Sequence, residues 1–273
     1  MSYEAASGMK VAGHVLPPDI VNSLQEASRT TGVDFNFLVA QASIESGFQG
    51  DVRSRRSSAA GLFQFTGQTW MQMVQRYGPR YGHADTARAI KTQPDGHLGT
   101  GNAAEDRRIL DLRKDVNLSA IMAGELAKEN TAHLQKALGG KVGAADLHLA
   151  HLLGAGGAVR FLKARQANGS QPAAAVTPAA ARQNPTLFFT RGTQSPRSVA
   201  AVYSKIKTSI ETPLRQVASA TGRPTTRLVS AGTLPLGQIG TPSEQVASTA
   251  DRDGLRPGRG LSDALPRRRG DGA

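Results

Sequence analysis

The chain has 273 residues, a net charge of +12, 39% hydrophobic but only 5% aromatic residues, and no cysteine. That is room for one large domain or two small ones; it excludes disulfides and thiolate metal sites, and the lack of any uninterrupted run of about 18 apolar residues excludes a membrane-spanning helix. The basic balance asks for an anionic partner, and nucleic acid, anionic lipid and peptidoglycan all satisfy it.

Residues 1–16 read as a flexible leader, without the basic cluster and apolar run of a Sec signal peptide. Pro17-Pro18-Asp19 opens a first helix, with Ile20, Val21, Leu24 and Ala27 at helical spacing and Thr31-Gly32 as its stop. Asp34 is a good N-cap for a second helix, which buries Phe35, Leu38, Val39 and Ala42 and ends at Gly47. Glu45 falls in its last turn, at the negative end of the helix dipole, a position that raises a carboxyl pKa.

An arginine-rich loop from Asp51 to Ser58 carries Arg53, Arg55 and Arg56. The small-residue stretch Ala59-Ala60-Gly61-Leu62-Phe63-Gln64-Phe65 follows, and then a helix over 68–77 in which Trp70 and Tyr77 read as core. Loop with short helical pieces is expected over 78–101. Further helices are expected at 103–112, at 117–130 with Asp115 as cap, at 144–153 and at 156–167. The Ala/Pro/Gln-rich residues 168–183 read as a spacer, and Pro196 with Ser198 as the start of a closing helix. No clean period-two strands and no internal repeat occur.

Tyr203 is the last aromatic residue. The segment after it is rich in Gly, Pro, Ser, Thr and Ala, a composition too poor in apolar area to offset chain entropy. From Gln216 on it holds eight arginines against five acidic residues, so most of the positive charge lies in the folded part. The expected organisation is a leader (1–16), an all-α domain (17–210) and a disordered tail (211–273). Arg267-Arg268-Arg269 in that tail is too short a run to argue for nucleic acid, and no aromatic-basic interleaving supports one.

Two short strings change the reading of Glu45. Glu45-Ser46-Gly47-Phe48 matches the first motif of the soluble lytic transglycosylases, relatives of goose-type lysozyme. Gly61-Leu62-Phe63-Gln64 resembles their second motif, with Phe63 where Met is commoner, and Thr69-Trp70 stands where the family has Thr-Trp. Arg113-Lys114-Asp115 and the helix after it look like the corresponding part of alphaproteobacterial members. The resemblance covers roughly residues 20–210. It implies a lysozyme-like all-α fold followed by a tail outside the domain.

The third motif departs. Ala150-His151-Leu152-Leu153-Gly154-Ala155-Gly156 keeps the glycines of the usual Ala-Tyr-Asn-x-Gly-x-Gly, but His151 replaces the Tyr that bonds near the catalytic Glu, and Leu152 replaces an Asn that touches sugar. His148, one turn earlier, reads as a surface residue.

The resemblance implies cleavage of the β-1,4 bond between N-acetylmuramic acid and N-acetylglucosamine in peptidoglycan strands. Glu45 is the expected acid, with Phe48, Phe63 and Phe65 as candidates for an apolar pocket around it. Ser46, Phe63, Gln64 and His151 are the expected substrate-side residues. Most glycosidases pair the acid with a second carboxylate. Asp51, Glu105, Asp106, Glu125 and Asp146 carry no motif, and the helical ones read as solvated faces. In the family a single Glu acts first as acid and then as base toward the muramic acid C6 hydroxyl, closing a 1,6-anhydro ring.

No cofactor and no metal is expected. The alternatives are a hydrolytic muramidase on the same fold and a catalytically weakened peptidoglycan-binding component of a secretion or phage apparatus. The expected location is the periplasm or cell envelope, with the tail as a candidate segment for docking to a secretion, flagellar or phage assembly.

Overall fold

The computed structural model describes residues 8, 10–53, 58–225 and 228–229. Arg55, Arg56 and the Arg267–Arg269 run lie outside the described residues. The fold is all-α. Its helices are α1 (Pro18–Thr31), α2 (Phe35–Glu45), α3 (Gly67–Tyr77), α4 (Ala84–Ala89), α5 (Ala103–Asp111), α6 (Val116–Leu138), α7 (Ala144–Asn168), α8 (Ala173–Val176), α9 (Pro178–Gln183), α10 (Pro185–Phe188) and α11 (Val199–Thr221). Two antiparallel two-residue pairings accompany them, Lys10–Val11 with His14–Val15 (β1, β2) and Lys91–Thr92 with Leu98–Gly99 (β3, β4).

α2 is the centre of the molecule. Every residue from Phe35 to Ser43 is buried, so the helix has no solvent face. α1, α6 and α11 pack on it, while α7 spans α6 and α11. Its start is secured by the side chain of Asp34, which accepts the Phe37 N–H at 3.0 Å. Asp115 caps α6 in the same way by accepting the Leu118 N–H, and Ser198 caps α11 by accepting the Ala201 N–H. The α1 and α6 backbones approach closely at Gly124, where an added Cβ would lie 2.5 Å from Thr31 Oγ1.

α7 is broken where the sequence predicts two helices. Gly154 has φ 69° and ψ 161°, so the element is a pair of helices joined at the first glycine of the third motif.

Three regions differ from expectation. Residues 10–16 are not a loose leader. Ala12 and Gly13, both at positive φ, make the two-residue turn of a hairpin, and Val11 and Leu16 are fully buried. The spacer at 168–183 is largely helical in short pieces, because its alanines favour helix while its prolines interrupt it; Ala173 and Ala181 are buried. α11 continues past the boundary near 210 to Thr221, burying Pro213 and Val217, and Val229 bridges to Val33. Aliphatic residues alone carry this last stretch, so the end of the aromatic residues was a poor marker of the end of the fold.

Among the described residues no helix is long and apolar enough to cross a membrane.

α11 covers α2 and α7 with Val202, Ile206 and Ile210, all buried. Ile206→Ala and Ile210→Ala should each cost about 2–5 kcal/mol in urea unfolding. A loss below about 1 kcal/mol at both positions would mean that α11 is not part of the cooperative fold.

Candidate active site

The site is built where α2 runs out. After Glu45 the chain reverses through Gly47 (φ 61°) and Phe48 (φ 68°), and Phe48 folds back into the core. Gly47 is required twice over. Besides its positive φ, a Cβ there would lie 2.6 Å from the His14 ring, so the β1–β2 hairpin rests an imidazole directly on the first motif.

Ser46 ties the first motif to the second. Its hydroxyl donates to the Leu62 carbonyl at 2.8 Å and to Ala42 at 3.3 Å. The second motif is a tight loop, with Gly61 at φ 80° and Gln64 at φ 47°. The Gln64 amide Nε2 donates inward, to Gly61 at 2.9 Å and Val52 at 3.2 Å. Phe63 and Phe65 are fully buried, so Phe63 supports the loop from the core side.

Arg113 holds this loop in shape. It is a buried residue whose guanidinium donates to the carbonyls of Ser58 at 2.6 Å, Phe65 at 3.1 Å and Leu110 at 2.7 Å. Its own carbonyl presses on Gly61, where a Cβ would lie only 2.0 Å away. The helix that follows was legible in sequence as an accompaniment of the domain; the role of Arg113 as a three-carbonyl clamp was not, because its partners lie up to 55 residues away. Arg53 is engaged by Asp111 at 2.7 Å on the surface, and Lys114 shares the same carboxylate.

The carboxyl group of Glu45 meets α7. Nε2 of His151 lies 3.1 Å from Glu45 Oε1, and the two side chains are only 14% and 13% exposed. Oε1 is buried and receives no squarely directed N–H, so charge more than hydrogen-bond alignment carries the contact. His148 is the third member. It is buried rather than on the surface, and its ring is parallel to that of His151 with centroids 6.4 Å apart. A small cavity beside the pair is lined by Phe37, Gln41, Phe65, Leu126, Asn130 and His151.

The electrostatics follow from this packing. Burial pushes the Glu45 carboxyl up, but the charge and proximity of His151, aided by His148, outweigh it and hold it below the ordinary value. Burial alone would lower His151, and the Glu45 carboxylate overcomes that and raises it. His148 is pushed down to about 4, first by burial and further by His151, so it stays neutral near pH 7. The expected raised pKa of Glu45 is thus not met, because the imidazole reverses the direction of the shift.

No second carboxylate acts on Glu45 among the described residues. Glu125 is not on a solvated face; it is buried, bound by Lys128 at 2.9 Å and by the Tyr81 hydroxyl at 2.5 Å. Asp146 caps α7 and accepts the Tyr203 hydroxyl at 2.7 Å, and Asp106 accepts from Thr100. Trp70 is core, with its indole N–H on the Ile109 carbonyl, and Tyr77 bonds Glu129. No group of three or more metal-ligating acidic, His or Cys side chains occurs among the described residues.

The site thus places a carboxyl group at the end of a central helix, tied through Ser46 to the tight loop around Gly61, in an all-α domain. Residues 22–92 match the family model described as the transglycosylase SLT domain. This stretch of the chain is similar to the transglycosylase SLT domain. It holds Glu45 and both of the first two motifs, while His148 and His151 lie outside it.

Arg113→Met should leave three loop carbonyls without their donor. We expect about 3 kcal/mol of destabilisation in chemical unfolding, and Arg113→Lys to recover only part of it, since an ammonium cannot reproduce the planar fork. A loss below about 1 kcal/mol would show that the loop holds its shape without the clamp.

Proposed function

We propose that the protein is a peptidoglycan lytic transglycosylase. It cleaves the β-1,4 bond between N-acetylmuramic acid and N-acetylglucosamine and leaves a 1,6-anhydro end. The observation that carries this reading is a single buried carboxyl group, Glu45, with imidazole and, among the described residues, no carboxylate acting on it.

Two-carboxylate glycosidases divide the work between an acid and a nucleophile or base. With one carboxyl group the same residue must act twice. Glu45 protonates the glycosidic oxygen as the bond to the anomeric carbon breaks. Its carboxylate then takes the proton of the C6 hydroxyl of the muramic acid residue as that oxygen attacks the anomeric carbon. The nucleophile is already attached to the substrate, and the high effective concentration of an intramolecular group replaces a positioned water. His151 faces Oε1 and orients the carboxyl group. Leu152, half-buried beside it, offers no hydrogen bond to sugar, so polar recognition on that side rests on other residues. Ser46, Phe63 and Gln64 shape the loop that faces the acid.

The place of action follows the substrate, in the periplasm or cell envelope, and the C-terminal tail is the candidate segment for docking to a secretion, flagellar or phage assembly.

Digestion of purified sacculi followed by mass spectrometry of the products tests the reading. Wild-type protein should release anhydro-muropeptides, and Glu45→Gln should lower the rate by at least about a thousandfold without loss of fold. Products bearing only ordinary reducing ends would make the protein a hydrolytic muramidase. No release by the wild type would make it a binding component.

A further inference from the structure

The helix break at Gly154 has an electrostatic consequence at Glu45. It ends the first half of α7 just after His151, so that residue sits in a C-terminal turn. Glu45 is the last residue of α2. Two helix C-termini therefore converge on one small volume. Each carries about half a negative charge, and both disfavour a bare carboxylate and favour a cation.

The cavity beside His151 is lined by Phe37 and Gln41 of α2, Ala123, Leu126, Ala127 and Asn130 of α6, and Phe65 of the second motif, none of which titrates. Among the described residues His148 is the only other titratable group acting on Glu45. The ionisable groups of α6 at this level, Glu125 and Lys128, are bound to each other. Glu45 Oε1 has no exposure and no well-directed donor. If Glu45 and His151 were both without a proton, a buried carboxylate would stand between two negative helix ends with no countercharge. That state is strongly disfavoured.

The geometry points to His151 as the proton store of the site: Glu45 and His151 hold one proton between them, and this shared proton is the one delivered to the glycosidic oxygen. The inference rests on the transglycosylase reading above. The steps balance. The resting pair is a carboxylate facing an imidazolium, in exchange with a carboxylic acid facing a neutral imidazole. The proton passes to the glycosidic oxygen, the bond from that oxygen to the anomeric carbon breaks, and its electron pair leaves with the N-acetylglucosamine residue. The pair is then a carboxylate and a neutral imidazole. The C6 hydroxyl oxygen bonds to the anomeric carbon and gives its proton to the carboxylate, which restores the single proton of the pair. The cycle takes up no proton from solvent.

His151 is thus a positioning and proton-holding residue acting through Glu45. A Tyr at that place can donate a hydrogen bond, but it brings no second basic site that titrates near neutral pH. In this chain the pair, with its raised imidazole, keeps its proton above pH 6.5 and loses it only as pH rises through the folded-state value of His151.

The test is an NMR titration of the His151 ring nitrogens in the full-length protein, read beside pH profiles of sacculus solubilisation. In the wild type His151 should titrate above 6.5, and the alkaline limb of kcat/KM should coincide with it. In Glu45→Gln only burial acts on the ring, so its midpoint should fall by about one pH unit or more. In His151→Tyr, checked for an unchanged melting temperature, Glu45 must hold the proton alone, and the alkaline limb should move acidward. His151→Gln serves if the Tyr variant does not fold. A wild-type His151 that titrates below 6.5, or an alkaline limb that stays in place in the position-151 variants, overturns the proton store while anhydro products leave the transglycosylase reading intact. A wild type that releases nothing from sacculi overturns that reading, and a pair that still titrates as described would then be a structural ion pair, which overturns the proton-store role as well.

Discussion

A helix buried on every side can end in a carboxyl group only if something at its end accounts for the charge. α2 is such a helix, with Phe35 to Ser43 all out of solvent and Glu45 at its terminus. Its dipole makes the problem worse, since the carbonyl end repels the same negative charge. The rest of the molecule can be understood as the solution. α1, α6 and α11 enclose α2, and α7 brings an imidazole to within 3.1 Å of the one oxygen that solvent does not reach. Nothing comparable is needed at the other end of α2, where Asp34 caps the free N–H groups and its charge suits the dipole.

The loops around Glu45 are held by backbone carbonyls in fixed places. Ser46 spans from the end of α2 to Leu62, and Arg113 gathers the carbonyls of Ser58, Phe65 and Leu110. The consequence is that the second motif is positioned by residues on both sides of it in the chain. Gly61 is needed because Arg113 comes so close from behind. Gln64 adopts positive φ, at a cost of order 1 kcal/mol for a non-glycine residue, and its amide turns inward to carbonyls of the same loop. A loop so tightly over-determined can keep a strained residue in place.

Much of this was legible from residue order alone, and the limits are instructive. The helices of the domain were readable because their apolar residues recur at helical spacing and their caps (Asp34, Asp115, Ser198) are local signals. The break at Gly154 was readable for the same reason: two apolar-periodic segments flank a glycine-rich join. The leader hairpin was missed because two residues per strand give no periodicity, although Ala12-Gly13 carries the turn. The end of the fold was misplaced because Val217 and Pro213 bury area without any aromatic residue to advertise it. At the site, Glu45 and the two nearby motifs are contiguous strings, and contiguous strings are what a sequence displays. His148 was misread as surface because burial depends on what covers a helix face. The position of Arg113 in a clamp and of His14 on Gly47 depends on contacts between distant segments, which no local pattern encodes.

The region that carries the family match and the region that tunes its acid are therefore different parts of the chain. Residues 22–92 hold the carboxyl group and its loop, and α7 supplies its charge partner from more than fifty residues downstream. A single catalytic carboxyl group has to be acidic enough to give a proton and basic enough to take one back. Environment alone sets that balance, and in this fold the environment is supplied from the opposite wall. An imidazole there does what a phenol cannot, since it accepts a proton within the range where the reaction must run. The side chain that partners Glu45 thus lies on α7, outside both contiguous motifs. The third motif departs from the common pattern at His151, and that residue is still a polar partner of Glu45.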